Sequence, residues 1–545
     1  MEHFRAKVCQ GGSRRFWIVA AVFAALLGTA AFWGINKQAL GLFHDDGIYT
    51  VVAKSLYQGE GYRIISLPGA PSQTKYPFLY SYLLSWIWWL DSNFPQNIVV
   101  FKALNVIALI AIFFLSLVFY QRQCGVFGIG AIVFSLLVCA NPVIFTFTDY
   151  VISDLLFVLL ALAALTVAAS DQETPARMVT VLLLGIVTGL ACLTRLAAAP
   201  LVFSGSLYCH SRRRWRGLLC FVGIIALFIG PWFLRTAHVP QPAADSLFAY
   251  YAKYDFTGAG MSEFGASLRP HWPVISGNAR YLVESLEMVY LTPLLPGLNL
   301  FVFGLTLIGM IKSLHREELF HWSFFLSSLA LLLIWPFHPG RYMAPLVPLL
   351  ILFLFRGMKA IEIWITSSPW KSRLKNFVAK LAWCPVALIL VVIGVWLSAF
   401  VLVRNDPSMR GLYGNRVSYG WAGYEESFAW IRGHVPPDAL LATAYDPMYY
   451  LYTGRRAIRP ALHRPATYFY PYGQANPNVG SVDEIRPQLD QIKAKYLIVD
   501  PLDGYAEQSA TSRLFDELLL AYGDKAKNVF TSSDGKHKIY ELSTD

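Results

Sequence analysis

Directly after Arg14 and Arg15 the chain runs from Phe16 to Ile35 without a single charged residue. Roughly twenty apolar residues is the length that crosses a hydrocarbon core as one helix, and in lipid every backbone polar group of such a segment must be satisfied within the helix. Comparable runs recur near 98 to 120, 126 to 146, 153 to 169, 178 to 194, 196 to 209, 217 to 234, 291 to 312, 320 to 335, 342 to 356 and 382 to 403. The first run is too long for a removable signal and lacks a clean cleavage site, so it reads as an uncleaved span. The expectation is an α-helical, polytopic membrane protein with about eleven transmembrane helices.

Composition agrees with that reading. Apolar residues make up 56% of the 545 and charged residues only 14%, whereas soluble chains carry roughly a quarter charged. Secretory cargo, a disordered chain and a disulfide scaffold are thereby excluded. The seven cysteines lie in apolar runs or beside short basic loops, with no metal-site spacing, which argues against cysteine chemistry.

Lys and Arg in short loops set orientation, and His210 to Arg216, with four arginines, is the strongest such loop. Placing it in the cytoplasm also puts the N-terminus, Gln121 to Gln123, Lys312 to Glu318 and Arg356 to Lys380 on that side. Asn36 to Asn97, Arg235 to Tyr290 and everything after Arg404 are then outside. Tyr76 to Leu90 is apolar, but as a span it would invert the arginine-rich loop; its Tyr80, Tyr82, Trp86, Trp88 and Trp89 suit a helix lying in the outer interface. Gly47 to Gln58 has helical apolar spacing and reads as a second interfacial helix.

Two domains are expected, a membrane part over 1–403 and a small α/β domain over 404–545. The second is expected to hold helices at Glu425 to Ile431 and Val482 to Ile492, a helix-like stretch ending at Gly454, and strands near 440 to 443, 496 to 499, Val529 and Ile539. Its sixteen basic and seventeen acidic residues nearly cancel, so the net charge of +11 belongs to the membrane part. Nucleic acid is not an expected partner; membrane lipids are.

Ionisable groups are scarce within the spans and gather at their outer ends, which is unlike a transporter with charges at mid-membrane. His44, Asp45 and Asp46 open the first outer loop, and Thr74, Lys75, Tyr76 and Pro77 lie near its end. Asp149, Ser153 and Asp154 form the next outer turn. Each acid has a bland reading as a helix cap, yet two acidic sites on one side of so uncharged a chain point to chemistry, as general base or metal ligand. Lys75, Lys102, Arg195, Arg235 and Arg341 sit at outer ends against the inner bias of basic residues. Lys102 and Arg235 read as lipid-facing anchors. Lys75 precedes a proline and Arg341 follows His338-Pro339-Gly340, placements suited to holding a phosphate. A sugar on a membrane polyprenyl phosphate would bring its own good leaving group, so cations for the phosphate and a carboxylate for the attacking hydroxyl would suffice.

These residues resemble the GT-C superfamily of polyprenyl-phosphate-sugar-dependent glycosyltransferases, in the bacterial branch of protein O-mannosyltransferases and the lipid A aminoarabinose transferase. The resemblance is carried in order by Asp45-Asp46-Gly47-Ile48-Tyr49, Ala53 to Leu56, Gly59-Glu60-Gly61-Tyr62, Lys75-Tyr76-Pro77, Asp149 to Phe157, Gly189 to Arg195, Pro231 to Arg235 and Arg341-Tyr342-Met343-Ala344-Pro345. It implies transfer of a hexosyl or pentosyl group at the periplasmic face of a bacterial inner membrane, to a lipid, glycan or protein acceptor. It implies Asp45 as the catalytic aspartate, four residues before Tyr49, with Asp46 beside it. It also implies Lys75 on the donor phosphate and Asp154 as the second-loop acid; Arg195, Arg341 and Tyr342 join them as expected substrate contacts. Where the aminoarabinose branch has a glutamate before the lysine, this chain has Thr74, which leaves a divalent metal open; His44, His271 and His338 are candidate ligands without regular spacing. A lipid-glycan flippase or a non-catalytic envelope assembly partner are the alternative functions.

Overall fold

The computed structural model describes residues 14–126, 128–170, 177–243, 245–252, 272–290, 299–315, 318–335, 339–367, 421–462, 479–501 and 508–543. The span expected near 382 to 403, His271 and His338 lie outside them. The chain begins with α1 (Arg14–Trp33), then α2 (Asp45–Tyr57) and α3 (Phe78–Leu90) in the first outer loop. The bundle continues with α4 (Ile98–Cys124), α5 (Ile129–Cys139), α6 (Pro142–Phe145), α7 (Asp154–Ser170), α8 (Met178–Thr194) and α9 (Ala199–His238). Among the described residues it further holds α10 (Trp272–Tyr290), α11 (Asn299–Lys312), α12 (Leu319–Leu333) and α13 (Val347–Ser367). The sequence reading left α10 inside an outer loop, because its apolar stripe is one-sided rather than continuous.

Three helical runs among the described residues are long and apolar enough to cross a membrane, Arg14–Trp33, Ile98–Cys124 and Leu196–His238; Ile129–Cys139 and Pro142–Asp149, bent by 56°, make a fourth if taken together. Helices α3, α7, α8, α11 and α12 are apolar but shorter. The long helices expose apolar faces: Leu26 of α1 is 61% exposed, and Leu219 and Leu227 of α9 are 68% and 76% exposed, which water would penalise and lipid would not. The α9 run breaks at Arg214 (φ 54°, ψ −144°), within the arginine-rich loop, and Gly205 then lies against the Phe221 ring, so the two halves fold back on each other. Helices α11 and α13 meet through Gly309 and Gly357, where any Cβ would overlap the carbonyls of Phe353 and Leu305; small residues allow this backbone approach, which is how helices associate without a hydrophobic driving force.

The later residues form α14 (Trp421–His434), β1 (Leu440–Ala442), α15 (Asp446–Thr453), β2 (Ala457–Ile458), α16 (Val482–Gln491), β3 (Ala494–Val499), α17 (Gln508–Tyr522), β4 (Ala526–Thr531) and β5 (Lys538–Leu542). Their sheet has the order β2-β1-β3-β5-β4, parallel between β1 and its two neighbours and antiparallel from β3 onward. Gly454 ends α15 with a left-handed cap, and Ser481 with Glu484 closes a capping box on α16.

Two hydrophobic cores result. One runs through the bundle, from Ala20 to Phe353. The other joins α2 and α3, through Ile48, Val52, Leu84 and Trp88, to the sheet residues Leu441, Ile458, Leu497 and Ile539. Helices α2 and α3 thus share one core with the sheet; Asp45 and Asp46 precede Ile48 of that core, and Asp154 adjoins Leu155 of the bundle core.

Candidate active site

The start of α2 is shaped by its own acids. Asp46 is buried; its Oδ2 accepts from the Gly41 amide and its Oδ1 from the Gly47 amide, both at 2.9 Å, so it satisfies one amide that the first turn leaves open and one from the loop before it. Asp45, one residue earlier, is 16% exposed and reaches the other way. Its Oδ1 accepts from the Tyr76 hydroxyl at 2.6 Å and its Oδ2 from Arg341 Nη2 at 3.1 Å.

Arg341 stands on the 3₁₀ segment Pro339–Leu346 that leads into α13. It lies between two carboxylates, with Nε also 3.9 Å from Asp154 Oδ1. Asp154, at the first turn of α7, receives a short ion-pair contact from Arg195, which follows the end of α8. Both guanidinium groups lie against the Tyr342 ring, 5.0 and 5.1 Å from its centre, where cation–π attraction helps to hold them. Tyr49 joins the same cluster through Ser153, at 3.0 Å.

Lys75 faces Asp45 from the end of the first outer loop. Its amide is turned by the Gln73 side chain at 2.7 Å; its ammonium donates to the Tyr250 carbonyl at 2.8 Å and sits 3.7 Å from the Tyr250 ring centre. Arg235 holds that loop by donating to the carbonyls of Gln73 and Tyr62, at 2.7 and 3.0 Å. Lys102 is almost fully buried, bound to Asp149 at 3.1 Å and to the Asn36 carbonyl at 2.7 Å. Lys102 and Arg235 therefore face protein acceptors, which corrects their reading as lipid anchors: the loop carbonyls and Asp149 satisfy them better than headgroups could.

Burial alone would raise the Asp45 carboxyl, but the Arg341 guanidinium, the Lys75 ammonium and the Tyr76 hydrogen bond together hold it below the ordinary carboxylate value. Burial wins at Asp46, pushed up to about 6 against its two amide hydrogen bonds and the attraction of Lys102. Neighbouring acids in one turn are thus set apart by environment: Asp45 is the ionised one, Asp46 the reluctant one.

A narrow cavity opens from this cluster. Asp154, Arg195, Arg341 and Tyr342 form its polar head, and Phe157, Phe324, Leu331, Leu332 and Pro345 are among its apolar walls. Among the described residues no three His, Cys, Asp or Glu side chains gather as a metal site would require. The positive charge of the site comes from Lys75, Arg195 and Arg341. Asp45, Lys75, Asp154, Arg195, Arg341 and Tyr342 are brought together; Asp46 lies beside them, spent on backbone. Sequence alone assigns Tyr76 no role beyond its place in the Lys75-Tyr76-Pro77 run and does not mark Tyr250 at all, since an uncharged ring in an aromatic-rich chain carries no topological signal.

No family model matches the sequence, and no curated relative does. Solved structures match over nearly the whole chain. ArnT from Cupriavidus metallidurans bound to undecaprenyl phosphate is similar at 14% identity and a TM-score of 0.58, covering 97% of this chain and 98% of that one. The archaeal oligosaccharyltransferase AglB from Archaeoglobus fulgidus, in complex with an inhibitory peptide and a dolichol-phosphate, is similar at 10% identity and a TM-score of 0.53, covering 98% and 75%. The chain has the fold of the GT-C membrane glycosyltransferases.

Proposed function

We propose that this GT-C chain transfers a sugar from a polyprenyl-phosphate donor to an acceptor hydroxyl, amine or amide at the outer face of a bacterial inner membrane. The observation that carries the reading is the small cavity in which two guanidinium groups meet apolar walls, because a lipid phosphate presents that same pairing of an anionic head and a hydrocarbon tail. Undecaprenyl phosphate bound to ArnT and dolichol-phosphate bound to AglB are lipids of this kind.

Arg341 and Lys75 neutralise the phosphate as the glycosidic bond breaks, with Arg195 supporting Arg341 through Asp154. A phosphate leaves as an anion, so no acid need protonate it. Asp45, kept ionised by its cations, accepts a hydrogen bond from the acceptor and takes its proton late, when bond formation has made that proton acidic. The bundle lies in the membrane with the N-terminus cytoplasmic and residues 404–545 periplasmic, which a reporter fused after Asp545 tests: cytoplasmic activity there would place the site on the wrong side.

The function is tested by mass spectrometry of lipid extracts from a strain lacking the gene. Accumulation of a polyprenyl-phosphate sugar is the expected result and identifies the group transferred. An unchanged lipid pool, together with no sugar release by purified protein in vesicles, would overturn the reading.

A further inference from the structure

Helix α15 lies directly on the start of α2. A Cβ on Gly41 would come within 2.7 Å of Met448, and one on Gly47 within 2.7 Å of Pro447, so the two segments touch at backbone distance. That approach delivers Asp446, fully buried, to His44, with Oδ1 2.8 Å from Nε2 across 402 positions of sequence. The other ring nitrogen, Nδ1, lies 3.3 Å from the Tyr250 hydroxyl. With Asp446 Oδ1 accepting from Nε2–H, Nδ1 is left to accept from the Tyr250 hydroxyl. Both ring nitrogens are thereby engaged, and His44 is held rather than reactive. Tyr250 is held independently, by Lys75 at its carbonyl and on its ring face.

The backbone of His44 explains what is being held. It adopts φ 65° and ψ −57°, and the Asp45 amide donates to the Phe43 carbonyl at 2.8 Å. This is a γ-turn of the rare, strained hand, a conformation that a residue with a Cβ keeps only when its surroundings enforce it. Strain of this kind, one residue before Asp45, sets the direction in which that carboxylate leaves the chain.

We infer that Asp446 is a positioning residue for the transfer reaction: it clamps His44 in the strained turn and so aims Asp45 between Tyr76 and Arg341. The C-terminal layer thereby completes an active site whose reacting groups all lie in the membrane part. The inference rests on the transfer reading proposed above.

The experiment uses full-length protein in vesicles with a polyprenyl-phosphate sugar, comparing Asp446→Ala, Asp446→Asn, His44→Gly and the double variant, with Asp45→Asn alongside. Asp446→Ala is expected to lower kcat by roughly 10²-fold, the cost of a misaimed reacting group, while the donor KM stays within about threefold because Lys75 and Arg341 are untouched. Asp446→Asn, whose amide oxygen still accepts from Nε2, should recover to within about tenfold of the parent. His44→Gly removes the clamped ring and frees the turn, so it should lose kcat to a similar extent, and adding Asp446→Ala to it should change little further, since the two act as one unit. Should Asp446→Ala fail to fold, His44→Gly alone carries the test. Parental kcat in folded Asp446→Ala or in His44→Gly, or a lowered melting temperature with unchanged kcat, overturns the inference while an inactive Asp45→Asn leaves the transfer reading standing. A fully active Asp45→Asn overturns the transfer reading itself.

Discussion

Two half-buried guanidinium groups sit at opposite ends of the bundle and are treated differently. Arg356 donates to Ser313 Oγ at 2.7 Å, to Gln123 Oε1 at 2.8 Å and to both oxygens of Glu318. Its charge is matched one to one by a forked carboxylate and its remaining donors by neutral acceptors. Arg341 is shared between Asp45 and Asp154, at 3.1 and 3.9 Å, and lines a cavity beside Arg195. The ends are about 30 Å apart, judged from the 21 residues of α4 between Lys102 and Gln123. A closed ion pair fixes helices; a shared one next to a cavity can exchange a partner for a ligand. The same residue type thus serves architecture at one end and chemistry at the other.

The largest effect that would sharpen this contrast is on stability. Arg356→Met strands Glu318 without its partner and should cost about 3–5 kcal/mol, read as a lowered melting temperature in detergent, while the protein that remains folded turns over normally. Lost kcat at an unchanged melting temperature would erase the distinction.

Arg341→Met should do the reverse. Asp45 keeps Tyr76 and Asp154 keeps Arg195, so folding is spared, whereas kcat/KM should fall about 10²–10³-fold and polyprenyl-phosphate binding should weaken. Full donor binding in this variant would assign the phosphate to other groups.

A smaller effect separates the two acids of α2 by pH. The Asp46 carboxyl is raised from 3.8 to about 6, so the stability it contributes is complete below pH 3.8 and is lost as pH rises through 6. Over that interval the loss amounts to about 3 kcal/mol, at about 1.4 kcal/mol per pH unit. Asp46→Asn should remove this slope between pH 4 and 7, and a slope that survives would mean that another group titrates there. Asp45 is shifted the opposite way: its contribution is present above the ordinary carboxylate value and is lost only as pH falls through its lowered one. Asp45 should therefore place no loss of kcat between pH 7 and 5.

The sequence made the outer cluster legible through one physical anomaly. Basic residues at outer span ends are disfavoured, so Lys75, Arg195 and Arg341 stood out, and the acids near them followed. The same anomaly misplaced Lys102 and Arg235, because position along a span does not tell whether a cation turns to lipid or to a buried carbonyl. Asp446 was illegible for a different reason. It lies in a segment of balanced charge, and its meaning comes only from α15 packing on Gly41 and Gly47, a contact between distant segments that leaves no periodicity behind. Helix α10 was missed because its apolar face is narrow; after residue 421 the helix ending at Gly454, the helix over Val482 to Ile492 and the strand at Tyr496 were foreseen, whereas α17 and the two-residue β2 were not.

The central claim is that Asp45 does chemistry and does not merely cap a helix. Turnover of a polyprenyl-phosphate sugar by Asp45→Asn, measured beside polyprenyl-phosphate binding on the same vesicles, tests it most directly. The account predicts a loss of about 10²-fold or more in kcat, with binding retained because Arg341 and Lys75 remain. Turnover at the parental rate would contradict it and return Asp45 to the role of a helix cap.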